Sequence, residues 1–421
     1  MLAYRRPPPF SILVILSILV FLQSSVTQRT ILDNDKAIGL NRQFRQLFLN
    51  FAGRSGNSDR NFQLLRKMGK LQKQFSPSTP FFCDVKGPGR RSPTPPTSVH
   101  MVRPGDIDIV AGMGDSLTAA NGAMSTNLLH VTTENRGISW SIGGQENWRT
   151  FLTLPNILKE FNPNLYGYAL SDGLSIQRLS RFNVAELGAM SRDIPYEARI
   201  LIKRLQSDPK VNMTHHWKLV TILIGANDFC LDMCYQSDSR VILQRHEKDL
   251  LTTLRTLRDN IPRLIVNVVP APSMKILIEL KGLSPECFAG LHFECPCFFG
   301  SKVQKRRKEF LKVIEDWKKL DAKIINREEF HNKEDFTVNY QAFTKRILFP
   351  TTPNNLTDYR YMAVDCFHLS QKGHARATNA LWNNMLEPDG QKYESWKVEF
   401  EEFKCPTKER PYFATRENSR T

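Results

Sequence analysis

The sequence contains 421 residues, of which 41% are apolar and 10% aromatic. This composition is sufficient to fill a sizeable hydrophobic core. Its 58 basic and 42 acidic residues give a formal charge of +16, which permits attraction to anionic partners but defines no fold. The basic residues are dispersed and the chain is predicted to be exported, so nucleic acid is not an expected partner.

The N-terminal residues 1–27 have the order of a secretory signal peptide. Arg5 and Arg6 precede the apolar run "SILVILSILVFL", and the small and polar residues "QSSVTQ" follow it. The run is too short to span a bilayer comfortably, although an uncleaved anchor is the alternative. The C-terminal tail, residues 406–421, is polar. We therefore predict a secreted protein without a C-terminal membrane anchor.

The oxidising export route predicts that the eight cysteines form disulfides, in a pairing that the sequence does not determine. The spacings in "CLDMC" and "ECPC" match no dependable zinc pattern, so neither a metal nor another cofactor is predicted. Asn212, in "NMT", and Asn355, in "NLT", are candidate glycosylation sites.

Residues 28–75 form a predicted N-terminal helical extension, based on the amphipathic patterns "NRQFRQLFLNF" and "NFQLLRKMGKLQKQF". A segment rich in proline, serine and glycine then opens the main domain, residues 76–405. Its predicted strands lie in "IDIVAGMG", "RFNVAELGAM", "HWKLVTILIGAND", "RLIVNVVPAP" and "FTVNYQAF". Gly225 bounds the third, and Pro270 and Pro272 stop the fourth. Helical patterns occur at 146–160, 191–206, 239–260, 302–322 and 371–386. This alternation predicts an α/β domain with a parallel sheet of about five strands, covered by helices on both faces.

Three polar segments are expected to meet at one edge of this sheet. "MGDS" follows the first predicted strand, "GAND" follows the third, and "DCFHLSQKGH" precedes the last helix. The carboxyl ends of parallel strands share an edge, which is where ligands of open α/β sheets bind. Ser116 could there be a nucleophile, with His368 as its base and Asp365 orienting the base. Taken singly, Ser116 could instead be a helix N-cap and His368 a structural histidine.

Four blocks, "GDSLTAANG", "FNVAELGA", "GANDFC" and "DCFHLSQKGH", resemble those of GDSL esterases and lipases, also called SGNH hydrolases, and most closely the phospholipase B branch. The resemblance covers roughly residues 75–405. It implies a three-layer α/β/α domain that hydrolyses acyl esters of glycerophospholipids and lysophospholipids through an acyl-serine, without a metal. It assigns the nucleophile to Ser116, the base to His368 and the oxyanion donors to Ser116 N–H, Gly188 and Asn227.

The acid that orients the histidine has two candidates. The general family pattern D-x-x-H falls on Asp365, whereas descriptions of the phospholipase B branch place the acid at the position of Asp228. A residue in the same loop as His368 reaches its Nδ1 more easily, so Asp365 is favoured. The alternative functions are hydrolysis of another ester, such as a neutral lipid or an acetylated sugar, and binding by an inactive secreted protein of the same fold.

Two further segments suggest contact with lipid. "SWSIGGQENW" could form a flap, with Gly143 and Gly144 as the hinge and Trp140 and Trp148 lining the substrate site, or a packed loop. The basic amphipathic pattern "KVQKRRKEFLKVIEDWKKLDAK" could lie on an anionic membrane surface or be an ordinary helix. The sequence does not define the oligomeric state.

Overall fold

The computed structural model of the protein describes residues 35–52 and 58–420. The predicted signal peptide, residues 1–27, lies outside them. Within the described ranges, no helix has both the length and the apolar composition needed to cross a membrane.

Four strands form a parallel sheet in the order β1-β2-β3-β4, which is also their order along the chain. The strands are β1 Ile107–Gly114, β2 Trp217–Ile224, β3 Leu264–Pro270 and β4 Phe336–Tyr340. Gly114 pairs with Leu223, and Ile224 pairs with Pro270, so the carboxyl ends of the first three strands are level. This edge presents the residues that directly follow each strand.

Helices cover both faces of the sheet because parallel strands need crossover connections. The helices are α1 Asp35–Ala52, α2 Asp59–Lys67, α3 Ser116–Ala119, α4 Leu154–Phe161, α5 Ile194–Ser207, α6 Val241–Asn260, α7 Lys275–Ile278, α8 Pro285–Glu294, α9 Pro296–Phe299, α10 Arg307–Ile325 and α11 Gln371–Leu386. Alternate strand residues point to opposite faces: Val220 and Ile222 pack with α5, α6 and α10, whereas Leu219 and Leu223 pack with α4 and α11. The prediction of an α/β fold with helices on both faces is confirmed.

The sheet has four strands rather than the predicted five, because "RFNVAELGAM" is not a regular strand. It follows the outer edge of β1, where Val184 N–H donates to Gly112 O at 3.0 Å. The guanidinium group of Arg136 donates to the carbonyl oxygens of Asn183 and Ala185, at 3.2 and 2.7 Å. A buried side chain thus takes the place of a neighbouring strand, which the local apolar pattern did not indicate.

The N-terminal extension contains two helices, but the second is shorter than predicted. It ends at Lys67, before Gly69, whose φ of +67° belongs to the left-handed region that commonly ends helices. The chain then joins the main domain: Gln72 N–H donates to Gln371 Oε1 at 2.7 Å, and Leu152 N–H donates to Gln72 Oε1 at 2.7 Å. Residues before 76 are therefore hydrogen-bonded to α11.

The apolar face of α10 packs into the core and is not available to a membrane. Phe310, Ile314 and Trp317 are all fully buried, and they pack with Phe229 and Phe298. Of the two interpretations of this pattern, the one in which these residues contact a membrane surface is wrong. Lys308, Lys312, Lys319 and Lys323 lie on its exposed face, as in an ordinary amphipathic helix, whereas Lys318 is buried.

All eight cysteines form disulfides, as predicted. The pairs are Cys83–Cys405, Cys230–Cys295, Cys234–Cys297 and Cys287–Cys366. The sulfurs of "CLDMC" and "ECPC" are thus bonded to each other across the two segments. The first pair joins the beginning of the main domain to its end, and the other three lie around the carboxyl edge of the sheet.

Candidate active site

Ser116 is the first residue of α3, directly after β1. The N-cap is Asp115, whose Oδ1 accepts a hydrogen bond from Leu117 N–H at 2.9 Å. The alternative in which Ser116 caps the helix is therefore wrong. Because the preceding aspartate does the capping, the Ser116 hydroxyl is free to contact another group.

That group is His368. Its Nε2 lies 2.8 Å from Ser116 Oγ, and its Nδ1 lies 2.6 Å from Asp365 Oδ2. The other oxygen of Asp365 accepts the backbone N–H groups of Phe367 and His368, both at 3.1 Å. The exposed fractions are 3% for Ser116, 1% for His368 and 2% for Asp365. The hydroxyl, the imidazole and the carboxylate thus form a buried, hydrogen-bonded Ser116–His368–Asp365 triad, called the catalytic row below.

The imidazole and the carboxylate stabilise each other's charged forms. Burial alone would lower the pKa of His368, but the negative charge and hydrogen bond of Asp365 outweigh burial and raise it above the usual histidine value. Burial alone would raise the pKa of Asp365, but His368 and the two backbone N–H groups hold it below its usual value. An ionised Asp365 directs the Nδ1 proton toward itself, which leaves Nε2 to accept the proton of Ser116.

The loop that carries Asp365 and His368 is fixed by α8. Cys366, between the two, is bonded to Cys287 of α8. One turn along that helix, Gly290 lies directly on the loop: a Cβ atom at this position would be 2.5 Å from the carbonyl oxygen of Asp365. The close approach requires glycine, and together with the disulfide it holds the loop at two points.

Replacement of Cys287 and Cys366 by serine is expected to lower both stability and turnover. Loss of a disulfide typically lowers the free energy of unfolding by about 2–4 kcal/mol. Turnover should fall as well, because the loop carrying His368 loses one of its two attachments. Denaturant unfolding and kcat per active site measure the two effects. In the matched control, Cys83→Ser with Cys405→Ser, stability should fall while kcat per active site is retained; equal kcat in both pairs would contradict this prediction.

Two further segments bring hydrogen-bond donors to the same edge. Gly188 has φ +76°, and a Cβ there would meet nothing within 4 Å, so its backbone borders open space. Asn227 follows β2, and its Nδ2 donates to Ala189 O at 2.9 Å, which uses one of its two N–H bonds. The N–H of Ser116 belongs to the first turn of α3, where it has no acceptor within the helix. The three predicted oxyanion donors are thus at the ends of β1 and β2 and in the segment beside β1.

Asp228, the alternative acid, has a different partner. Its Oδ2 accepts Ser191 N–H at 2.9 Å, whereas both oxygens of Asp365 face the His368 loop. Burial raises the pKa of Asp228 well above its usual value, which favours a neutral carboxyl group. A neutral group is poorly suited to stabilise an imidazolium ion.

Glu294, at the end of α8, also belongs to this site although the sequence did not point to it. Burial raises its pKa to about 7, against the opposing charge of His368. Single ligand atoms of Glu294, Asp365 and His368 all lie within 4.8 Å of one another, a set that could hold a cation. Both ring nitrogens of His368 already contact Ser116 and Asp365, so a cation there would displace one of these hydrogen bonds.

An apolar pocket opens beside these residues. Leu117, Ala226, Phe367 and Leu369 line it, and each is the chain neighbour of a site residue. Further apolar side chains line it, among them Trp140, Met274, Leu277, Phe343, Ile347 and Trp396. An apolar lining beside polar catalytic groups is typical of small-molecule sites.

Of the four residues predicted to form or hinge a flap, Trp140 lines the pocket and the others do not. Trp148 lies instead in an aromatic cluster with Phe75, Phe81 and Phe82. A Cβ on Gly143 would be 2.4 Å from Ser139 N, and one on Gly144 would be 2.1 Å from the ring of Tyr168. These glycines allow close packing, so the segment is the packed loop of the alternative interpretation.

Asn212 and Asn355 are both exposed, as attachment of a glycan requires. Glycosylation at these positions stays a prediction.

Residues 110–381 match the family model described as GDSL-like Lipase/Acylhydrolase, so the chain belongs to this family and the resemblance seen in the sequence is confirmed. It is 38% identical over 327 residues to "Phospholipase B1, membrane-associated" of Homo sapiens, covering 77% of this chain and 22% of that protein. The Mus musculus protein of the same name is 36% identical over 346 residues, covering 80% and 22%.

The chain spans about a fifth of the length of these relatives. Among solved structures, an extracellular lipase from Streptomyces rimosus is 16% identical with a TM-score of 0.33, covering 66% of this chain and 98% of that one. This likeness is too distant to support any conclusion here.

Proposed function

We propose that the protein is a serine esterase that hydrolyses the acyl esters of glycerophospholipids and lysophospholipids. The observation that carries the proposal is the hydrogen-bonded row Ser116–His368–Asp365 beside an apolar pocket. Ser116 attacks the ester carbonyl while His368 accepts its proton, and the imidazolium ion is stabilised by Asp365. The N–H groups of Ser116, Gly188 and Asn227 stabilise the oxyanion.

The departure of the alcohol and the hydrolysis of the acyl-serine use the same groups. His368 returns its proton to the alcohol oxygen, which leaves as the lysophospholipid or the glycerophosphodiester. The acyl chain stays on Ser116 Oγ until a water molecule, deprotonated by His368, attacks the acyl carbon. As the second tetrahedral intermediate collapses, His368 returns this proton to Ser116 Oγ, which releases the fatty acid and restores the serine hydroxyl.

The choice of lipid esters rests on the pocket and on the relatives. Sixteen side chains, nearly all apolar, line the pocket, and an acyl chain is the part of a phospholipid that gains from leaving water. The relatives at 38% and 36% identity are named phospholipase B1. Export is proposed with the activity, because four disulfides are typical of proteins that fold in an oxidising compartment.

Product analysis tests the substrate class. The purified protein is incubated with a phosphatidylcholine that carries two different acyl chains and, separately, with a lysophosphatidylcholine. Mass spectrometry should detect fatty acid from both substrates. Release of acetate from acetylated sugars with no fatty acid from either lipid would overturn the lipid assignment and favour the alternative ester.

Ala377→Leu is expected to shift the chain-length preference. Ala377 of α11 is buried and lines the pocket, so a larger side chain occupies space that a long acyl chain would fill. We expect kcat/KM for a palmitoyl ester to fall by about 10-fold or more, since one methylene in an apolar pocket changes specificity by about 10–200-fold. The butyryl ester should be little affected.

Ala380→Leu is the matched control for this substitution. Ala380 is buried in the same helix but is not part of the pocket lining. Equal losses on the two esters in Ala377→Leu, or the same selectivity change in Ala380→Leu, would contradict an acyl-chain pocket.

The pH dependence should reflect the raised pKa of His368. The reaction needs the neutral imidazole, so kcat/KM should fall as pH decreases through the pKa of His368. Because Asp365 raises that pKa, the acid limb should lie above the ordinary histidine value of about 6.5. Measurement of kcat/KM from about pH 5 to about pH 10 locates the acid limb. An acid limb well below the ordinary value would contradict the charge stabilisation described for the pair.

A further inference from the structure

A second serine, histidine and aspartate are hydrogen-bonded to one another behind the oxyanion donors. Ser191 Oγ lies 2.5 Å from His246 Nδ1 of α6, and His246 Nε2 lies 2.6 Å from Asp321 Oδ1 of α10. The exposed fractions are 1%, 1% and 2%, so substrate does not reach this serine. Because these three side chains are enclosed, they can hold neighbouring groups in place but cannot act as a second active site.

The direction of these hydrogen bonds follows from the groups involved. The Asp321 carboxylate accepts the Nε2–H of His246, so Nδ1 carries a lone pair and accepts the Ser191 hydroxyl. The His246 ring also stacks on Trp317, with the centroids 3.7 Å apart and the planes at 17°. Both the plane and the tautomer of the imidazole are thereby set by α10.

Ser191 is connected to the proposed oxyanion donors by its backbone. Its N–H donates to Asp228 Oδ2 at 2.9 Å, and Asn227 Nδ2 donates to Ala189 O at 2.9 Å. These two bonds join the segment containing Gly188 to the turn after β2. Gly188 and Asn227 therefore cannot move apart unless a bond at Ser191 or Ala189 breaks.

Trp317 fixes the other side of that turn. Gly225, which opens the turn after β2 with φ +126°, packs so closely on Trp317 that a Cβ would be 3.1 Å from the indole. Phe229, just beyond Asp228, meets the same indole edge-to-face at 5.0 Å. The turn that carries Asn227 is thus supported by α10 on one side and by Ser191 on the other.

We infer that Asp228, Ser191, His246 and Asp321 form a positioning network that holds Gly188 and Asn227 where they can donate to the oxyanion. This inference rests on the proposed function. It gives Asp228 a role that differs from orienting His368, and that role needs an acceptor oxygen rather than a negative charge. Donors displaced by even a fraction of an ångström lose much of their effect on the transition state.

The test compares variants of the full chain by kcat per active site, with sites counted by stoichiometric labelling with a fluorophosphonate. Asp228→Asn keeps an oxygen for Ser191 N–H and should retain kcat within about 10-fold, whereas Asp228→Ala should lose about 100-fold, as when an oxyanion donor is removed. Ser191→Ala and His246→Gln should each lower kcat by about 10-fold or more, as removal of supporting hydrogen bonds commonly does. KM and the acid limb of the pH profile should stay unchanged in all four.

His331→Gln is the matched control, because His331 is also buried and donates to a backbone carbonyl, that of Ile325 at 2.8 Å. It should leave kcat per active site unchanged. A network that only stabilises the fold would reduce the number of labelled sites without changing kcat per site, and that result in Ser191→Ala and His246→Gln would overturn the inference. If His246→Gln fails to fold, Ser191→Ala, which removes a single hydroxyl group, decides.

A loss in Asp228→Asn as large as that in Asp365→Asn, with a displaced acid limb, would also overturn the inference and make Asp228 the orienting acid. Failure of the proposed function gives a different result: the wild-type protein would then release no fatty acid and label no site.

Discussion

Ser116→Ala is expected to abolish ester hydrolysis while the protein stays folded. Loss of a serine nucleophile that works with a histidine base lowers kcat by roughly 10⁶-fold in a hydrolase of this kind. Ser116 Oγ is 2.8 Å from His368 Nε2, and its neighbour Asp115 caps α3, so removal of the hydroxyl disturbs neither the cap nor the sheet. Initial rates on lysophosphatidylcholine, together with thermal unfolding, measure both parts of the prediction.

Ser180→Ala is a matched control for this variant. Ser180 is equally buried, and its hydroxyl donates to Leu174 O at 2.6 Å, away from the catalytic row. The control should retain wild-type kcat. Wild-type rates in Ser116→Ala would show that the nucleophile is another group.

Asp365→Asn is expected to lower kcat by about 10⁴-fold, as amide replacement of the orienting aspartate does in serine hydrolases. The amide has no negative charge to stabilise the imidazolium ion, and its N–H₂ can favour the wrong tautomer of His368. The substitution also removes the main cause of the raised pKa of His368, so the acid limb of the residual activity should move to lower pH.

The rate and the pH profile together identify the role of Asp365. A rate within about tenfold of wild type, with an unchanged acid limb, would show that Asp365 does not orient the histidine. Circular dichroism controls for the loss of the two backbone hydrogen bonds that Asp365 accepts.

The sequence predicted those parts of the site that lie in short segments next to a clearly patterned strand or helix. Ser116, Asn227 and His368 each directly follow a strand or precede a helix whose apolar pattern is clear, and the ends of parallel strands must meet at one edge. The sequence favours Asp365 as the orienting acid because a residue in the same loop reaches the Nδ1 atom of His368, and the two groups are 2.6 Å apart in the structure.

The features that the sequence did not predict depend on contacts between distant segments. "RFNVAELGAM" has a strand-like pattern, but its carbonyl oxygens at Asn183 and Ala185 accept hydrogen bonds from Arg136, which lies more than forty residues earlier. The apolar stripe of α10 is the same whether it faces a membrane or a core, and only packing against Phe229 and Phe298 distinguishes the two. Glu294 and Gly290 lie at the site because the Cys287–Cys366 disulfide joins α8 to the His368 loop. The spacing of the cysteines in the sequence does not determine this pairing.

The role of Asp115 illustrates the same limit at short range. A serine at the start of a helix is a good N-cap, and so is the aspartate before it. Which of the two caps α3 depends on where the helix begins, and helix ends are the least certain part of any sequence-based assignment. Because the cap is Asp115, the Ser116 hydroxyl faces the imidazole instead of its own backbone.

The most direct measurement of the central claim is to locate the acyl group during turnover. The protein is mixed with an excess of a slowly hydrolysed long-chain ester, quenched in acid, digested and analysed by mass spectrometry. The account predicts an acyl adduct on the peptide that contains Ser116, and no adduct in His368→Ala. Acylation of a different residue, or efficient hydrolysis without any acylated peptide, would contradict it.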